Sequence, residues 1–280
     1  MLSLPDAPRS SLDTAGPIEL PNDLVASRAD PGVDALVVGA SGGIGAALVA
    51  ELVAAPGVGR VFAWSRRGGP APGGAPTAPA QRIDLAVDLR DDAAIEAAAE
   101  SMVRASARPR LVFVACGRLH DQDTTPPLAP ERRLADLRRA ALEDVFTINA
   151  WAPLLVARAV VPLMPRRQAS RWVSLSARVG SIGDNRLGGW YAYRASKAAL
   201  NQLHRCLAIE LRRSNPGATC LLLHPGTVDT PLSEPFQSSV PDEQLFAPGP
   251  VARRLLELAV AAEPADSGGF FAWDGQAIPW

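Results

Sequence analysis

Lysine is nearly absent from this chain. Of 28 basic residues among 280, one is lysine, Lys197, and the other 27 are arginine. Tyrosine occurs twice, as Tyr191 and Tyr193, and histidine and cysteine three times each. Cys116, Cys206 and Cys220 are odd in number and widely spaced, so neither a disulfide framework nor a zinc site is indicated. They read as small buried hydrophobes in a reducing cytoplasm. His120, His204 and His224 share no ligand spacing, so no metal is expected, and they read as satisfied structural histidines. A basic excess is also missing. With 28 basic against 29 acidic residues the net charge is −1, which excludes a protein that coats nucleic acid. No uninterrupted apolar run reaches the ~18 residues of a membrane span, since the stretch 151–164 is cut by Pro153, Arg158 and Pro162. The N-terminus lacks the basic start and apolar core of a secretion signal. Cytoplasmic localisation is therefore expected. At 48% apolar and 20% charged residues, the composition fits neither a disordered nor a fibrous chain.

What is present is an alternation. Short apolar runs without period-two patterning occur at Ala35–Val38, Val61–Trp64, Ile83–Val87, Leu111–Ala115, Trp172–Leu175, Thr219–Leu223 and Phe270–Trp273. Helical patterns lie between them at Gly43–Ala54, Asp91–Ala105, Leu142–Met164, Tyr193–Arg213 and Pro250–Ala261. Unalternating runs suit strands buried on both faces, and strand–helix units in series give a parallel sheet covered on both sides. The expected fold is one α/β domain of Rossmann type, doubly wound, with a seven-stranded parallel sheet over residues 33–280. Residues 1–32, rich in proline and without apolar period, are expected to form a mobile extension or a loosely docked arm. Gly68–Ala80 is expected to be a surface loop. Ligands in such sheets bind outside the carboxyl ends of the strands.

Two motifs fall there. After Leu36-Val37-Val38 comes Gly39-Ala40-Ser41-Gly42-Gly43-Ile44-Gly45, opening a helix. Glycines permit a tight turn and close approach to a pyrophosphate, and the helix start adds amide donors and a favourable dipole. The second strand ends at Ser65-Arg66-Arg67 where an NAD site would carry an acid. A hydroxyl beside a guanidinium suits a 2′-phosphate, so NADP(H) is expected over NAD(H). Asp88-Leu89, after the third strand, is placed to meet the adenine. The second motif is Tyr193-Arg194-Ala195-Ser196-Lys197. Four apart on a helix, Tyr193 and Lys197 share a face. An ammonium beside a phenol lowers its pKa toward the working range, and the chain's sole lysine sits where a compact charge is needed.

With Asn149 in Ile148-Asn149-Ala150 and Pro225-Gly226-Thr227-Val228-Asp229-Thr230, these motifs resemble the short-chain dehydrogenase/reductase family over about nine-tenths of the chain. The stretch from Ser176 through Gly180-Ser181-Ile182 to the two tyrosines is similar to the C-factor-like and sniffer-type carbonyl reductase branch. The resemblance implies Tyr193 as acid–base, Lys197 lowering its pKa and holding the nicotinamide ribose, Asn149 anchoring a relay water, and Thr230 with Pro225, Gly226, Thr227 and Val228 at the nicotinamide. It implies hydride transfer between NADP(H) and a small carbonyl or alcohol substrate, in a homodimer or homotetramer built on the helices at 142–164 and 193–213. The segment Pro231–Pro248, with Trp190, is expected to be the substrate lid.

Two departures stand out. The family's Asn-Asn-Ala-Gly is replaced by Val114-Ala115-Cys116-Gly117. The position of its catalytic serine is held by Ala177, with Ser176 adjacent and Ser181 just beyond. Ser176 is expected to supply the hydroxyl if the chain turns there, with Ser181 or no serine as the alternatives. A nucleotide-binding signalling or sensor protein with little turnover is the competing reading. Arginine-rich bits at Glu131-Arg132-Arg133 and Arg138-Arg139 read as solvated faces.

Overall fold

The computed structural model describes residues 16–25, 32–69 and 80–280. The apolar runs become strands β1 (Val33–Val38), β2 (Val58–Ser65), β3 (Gln81–Ala86), β4 (Pro109–Val114), β5 (Ser170–Leu175) and β6 (Ala218–His224). Two two-residue strands follow, β7 (Thr227–Val228) and β8 (Leu245–Phe246), and β9 (Gly269–Ala272) ends the series. The helices are α1 (Gly43–Ala54), α2 (Asp92–Arg104), α3 (Arg139–Phe146), α4 (Ala152–Val160), α5 (Tyr191–Ser214) and α6 (Pro248–Ala261). Seven strands form one sheet in the order β3-β2-β1-β4-β5-β6-β9, parallel throughout. The expected fold is the one found.

Period two along each strand divides the core. Ala35, Val37, Ala63, Phe113, Val173 and Leu221 meet α1 and α6 on one face. Leu36, Phe62, Trp64, Val112, Trp172 and Cys220 meet α2, α4 and α5 on the other. Both faces are covered, so alternation in apolarity is absent while alternation in direction persists. The strand order reverses between β1 and β4, the usual crevice for a ligand in an open α/β sheet.

The expected single helix over Leu142–Met164 is instead broken. A π-helical turn at Thr147–Trp151 separates α3 from α4, and a 3-10 turn at Val161–Leu163 closes the run. Pro153 has no amide hydrogen, so the Asn149 carbonyl loses its usual α-helical donor four residues on, and the register shifts around it. The run Arg139–Leu163 is long and apolar enough to cross a membrane by length and composition, but half of it is buried inside the fold. Part of the N-terminal stretch is well seated. Leu24 is fully buried, the Arg110 guanidinium donates to the Asp23 carbonyl at 2.5 Å, and Arg171 meets the Asp23 carboxylate at 3.5 Å. The remainder of the 1–32 segment, and of the Gly68–Ala80 loop, lies outside the described residues except for their ends.

Candidate active site

The glycine loop is held by main chain. The Gly39 and Ala40 amides donate to the Trp64 carbonyl at 2.9 and 3.0 Å, and the Gly42 amide to the Gly39 carbonyl at 3.0 Å. Gly39 has φ +87°, and a Cβ there would press on the backbone of Ala115 and Cys116. A Cβ on Gly45 would run into the Gly39 carbonyl, and one on Gly43 into the Thr230 methyl. Gly42 caps α1 without a side-chain bond, and the first turn holds no acid. The opening amides of α1 therefore face outward at the positive end of a helix dipole, between exposed Ser41 and half-buried Ile44. Glycines keep the floor of this cradle low enough for an anion.

Around it, Ser65 is buried at the end of β2 and Arg66 is exposed. The Arg66 charge reaches Asp121 beyond β4, a minor contribution to holding that carboxyl low behind hydrogen bonds from Asp123 and Arg118. Asp88 is exposed and accepts from the Arg90 amide at 3.0 Å, while Leu89 is buried. Pro225 and Gly226 follow β6, and Gly226 has φ +78° with Phe246 and Trp273 where a Cβ would lie. Thr227 and Val228 form β7, which pairs with β8. The Asp229 amide donates to the Phe246 carbonyl at 2.8 Å, so the 231–248 segment is clasped at its base. No periodicity in the chain announces this two-strand clasp.

Tyr193 and Lys197 are both buried, one turn apart on α5. The Lys197 ammonium lies 5.8 Å from the Tyr193 ring centre and donates to the Leu175 carbonyl at 2.9 Å. Against the expected lowering by Lys197, burial pushes the Tyr193 hydroxyl up to about 12, and it pushes the Lys197 ammonium down to about 8. Near neutrality the phenol thus holds its proton and the amine its charge, the state a proton donor beside a cation requires. Cys116 is near enough for its charge state to couple with that of Lys197, yet burial raises its thiol to about 11 and it donates weakly to the Ile148 carbonyl at 3.5 Å. It is a thiol that keeps its proton near neutrality.

Asn149 is fully buried and three-way bonded. Its Oδ1 accepts from the Arg118 amide at 2.7 Å, and its Nδ2 donates to the Arg118 carbonyl at 2.8 Å and to Ser196 Oγ at 3.0 Å. Ser196 Oγ donates in turn to the Tyr193 carbonyl at 2.8 Å. Asn149 thereby ties the π turn, the loop after β4 and α5 together. The α5 N-terminus is capped by Glu131, which corrects its reading as a solvated charge. Glu131 is 4% exposed, its carboxylate accepts from the Ala192 amide at 3.1 Å, and its carbonyl accepts from the Trp190 amide at 2.6 Å. A carboxylate at a helix N-terminus is favoured by the dipole. Sequence spacing could not reveal it, because 61 residues separate the partners.

The serine hydroxyls have other partners. Beyond β5 the chain is still extended at Ala177 (φ −140°, ψ 144°), a conformation in which successive side chains alternate in direction. Ser176 Oγ donates to Asn201 Oδ1 at 2.6 Å, and Ser181 Oγ accepts from the Asp184 amide at 3.1 Å. Neither serine bonds the Tyr193 hydroxyl among the described residues. The histidines are not fully satisfied either. His120 Nδ1, His204 Nε2 and His224 Nδ1 are buried without a partner. Desolvation pushes His204 down to about 3 and His224 to about 4.

Residues 34–240 match the family model for short chain dehydrogenases. The C-signal protein of Myxococcus xanthus is 39% identical over 147 residues, 52% of this chain and 83% of that protein. The 1-hydroxy-2-glutathionyl-2-methyl-3-butene dehydrogenase of Rhodococcus sp. (strain AD45) is 36% identical over 145 residues, 52% of this chain and 59% of that enzyme. Among solved structures, the NADPH-bound carbonyl reductase from chicken fatty liver superposes with a TM-score of 0.75 at 26% identity, covering 95% of this chain and all of that one. The carbonyl reductase Sniffer of D. melanogaster gives 0.71 at 23% identity over 89% of this chain, a likeness of fold. The glycine cradle at the strand-order reversal and the buried tyrosine–lysine pair agree with the sequence match: this chain belongs to the short chain dehydrogenase family and is an NAD(P)-dependent oxidoreductase.

Proposed function

We propose that this oxidoreductase reduces a small carbonyl substrate, or oxidises the matching alcohol, with NADP(H) preferred over NAD(H). The observation that carries the reading is the buried Tyr193–Lys197 pair, with the ammonium held at 2.9 Å by the Leu175 carbonyl. Gly39, Ser41, Gly43, Ile44 and Gly45 would hold the pyrophosphate at the start of α1. Ser65 and Arg66 would take the 2′-phosphate, Asp88 and Leu89 the adenine, and Pro225, Gly226, Thr227, Val228 and Thr230 the nicotinamide end. Gly43 lets Thr230 pack directly against the start of α1, which brings the two expected ends of the nucleotide site together. Bound nicotinamide supplies hydride in reduction and accepts it in oxidation.

The chain's own residues handle the proton. The Tyr193 hydroxyl donates to the substrate oxygen as negative charge develops there, and Lys197 stabilises the phenolate left behind while holding the ribose. Asn149 keeps the loop after β4 and α5 in register and anchors a water for reprotonation. Ser176 fixes Asn201, one turn beyond Lys197, and through it the helix that carries both groups. Pairing of two copies along α4 and α5 belongs to this reading, supported by Trp151 and Ile209, which are 48% and 39% exposed.

The test is NADPH consumption over a panel of carbonyl compounds. Tyr193→Phe is expected to abolish turnover while NADPH affinity stays within a few-fold, and Lys197→Arg to lose most turnover, because a planar fork cannot replace a compact ammonium. Full activity in Tyr193→Phe would falsify the assignment. A second reading, a nucleotide-binding signalling protein with little turnover, is favoured by Ala177 and by the likeness to C-signal. It stands if the parent binds NADPH tightly and reduces nothing on the panel.

A further inference from the structure

We infer that His120 is a positioning residue of the substrate pocket, latching the 231–248 segment so that its aromatic wall faces Tyr193. The inference rests on the reductase reading for its effect on turnover, though not for the latch itself. His120 lies three residues past Gly117 in the loop after β4, and its Nε2 stands 2.9 Å from the Pro231 carbonyl, where the lid begins. A carbonyl only accepts, so Nε2 carries the hydrogen and Nδ1 is left as a bare acceptor. The ring edge meets Phe236 of the lid at 5.8 Å between centroids. Phe236 meets Trp190 at 4.8 Å, and Trp190 meets Tyr193 at 6.2 Å. One unbroken row of rings thus runs from the lid anchor to the phenol expected to move the proton.

Two further observations give the row its significance. Trp190 holds φ +50°, a left-handed conformation unfavourable for a bulky residue, directly before α5. A non-glycine residue persists there only when its surroundings hold it, and Phe236 and the Glu131 carbonyl are two that do. Second, His120 Nδ1 is buried with no partner. A bare buried acceptor offsets much of what the Nε2 bond contributes. The closed arrangement is therefore poised and does not lock. The latch sets where the pocket wall stands, and hence substrate affinity, while the chemistry at Tyr193 is untouched once substrate is seated.

Hydrogen exchange of the lid amides, read by mass spectrometry on the full chain with NADPH, tests the latch without reference to activity. His120→Phe keeps a ring against Phe236 and removes the donor. It is expected to speed exchange across 231–247 and to raise KM for a reduced carbonyl, each about three- to ten-fold, the range of one neutral hydrogen bond, with kcat within about three-fold. His120→Gln keeps an N–H for the Pro231 carbonyl and should restore both. Unchanged lid exchange in His120→Phe overturns the inference, as does equal acceleration in His120→Gln, where the N–H is kept. If the parent reduces no carbonyl, the reductase reading fails while the exchange comparison still decides the latch.

Discussion

At the carboxyl edge of the sheet, the loop from β1 to α1 is held by main-chain bonds from Gly39, Ala40 and Gly42, whereas the ground around Tyr193 is held by side chains. Where β1 meets α1, three glycines let neighbouring groups approach so closely that a single methyl would clash. Around Tyr193, Asn149, Ser196, Glu131 and Asn201 reach across 25 to 61 residues of chain to fix α5. The first kind of site depends on what is missing from the backbone and can be read as spacing. The second depends on which way side chains point, and one residue of change in direction moves a hydroxyl to the other face of the sheet. The glycine loop keeps the family's spacing, whereas Ala115-Cys116 beside it and Ala177 near Tyr193 depart from the family pattern.

Breaking the nucleotide side should have the largest effect. Gly45→Ala would put a methyl into the Gly39 carbonyl, a backbone atom that cannot swing aside. NADPH binding by calorimetry is expected to fall by about a thousand-fold or more, the equivalent of roughly 4 kcal/mol of strain. Binding within ten-fold of the parent would mean the cradle is not where the pyrophosphate sits. On the substrate side, the informative change is a gain. Ala177→Ser restores a donor at the family's position, and one donor to a developing oxyanion is typically worth ~10²–10³ in rate. An increase in kcat/KM of about a hundred-fold is expected, with a much smaller loss of kcat in Ser176→Ala. The opposite pattern, Ala177→Ser silent and Ser176→Ala inactive, would return the catalytic hydroxyl to Ser176 despite its bond to Asn201. The smallest effect sharpens the first half of the comparison. Arg66→Ala removes one charge-assisted contact worth ~1.5–3 kcal/mol, so NADPH affinity should drop roughly ten- to a hundred-fold with NADH unchanged. Equal weakening of both nucleotides would assign Arg66 to the loop rather than to a 2′-phosphate.

The parallel sheet, the glycine cradle and the pairing of Tyr193 with Lys197 are all legible in the sequence. Each follows from a short-range regularity: uninterrupted apolar runs, glycines at fixed offsets, or two residues four apart on one helix. The helix over 142–164 is legible in extent but not in continuity, because Pro153 acts on a carbonyl four residues back and the break falls at Asn149. Glu131 looks like a solvated charge in the sequence because its carboxylate answers an amide 61 residues away. The histidines look satisfied only while their surroundings are unknown, and three buried ring nitrogens have no partner.

By itself, then, the sequence determined the doubly wound sheet, the placement of both motifs at its carboxyl edge, and the type of chemistry they can support, since these depend on period and spacing along one chain. The tertiary structure alone decided which serine hydroxyl faces which way, which acid caps α5, how β7 and β8 clasp the lid, and that His120 reaches Pro231. Those outcomes depend on groups far apart in the chain meeting within hydrogen-bond distance, and no local pattern encodes such a meeting.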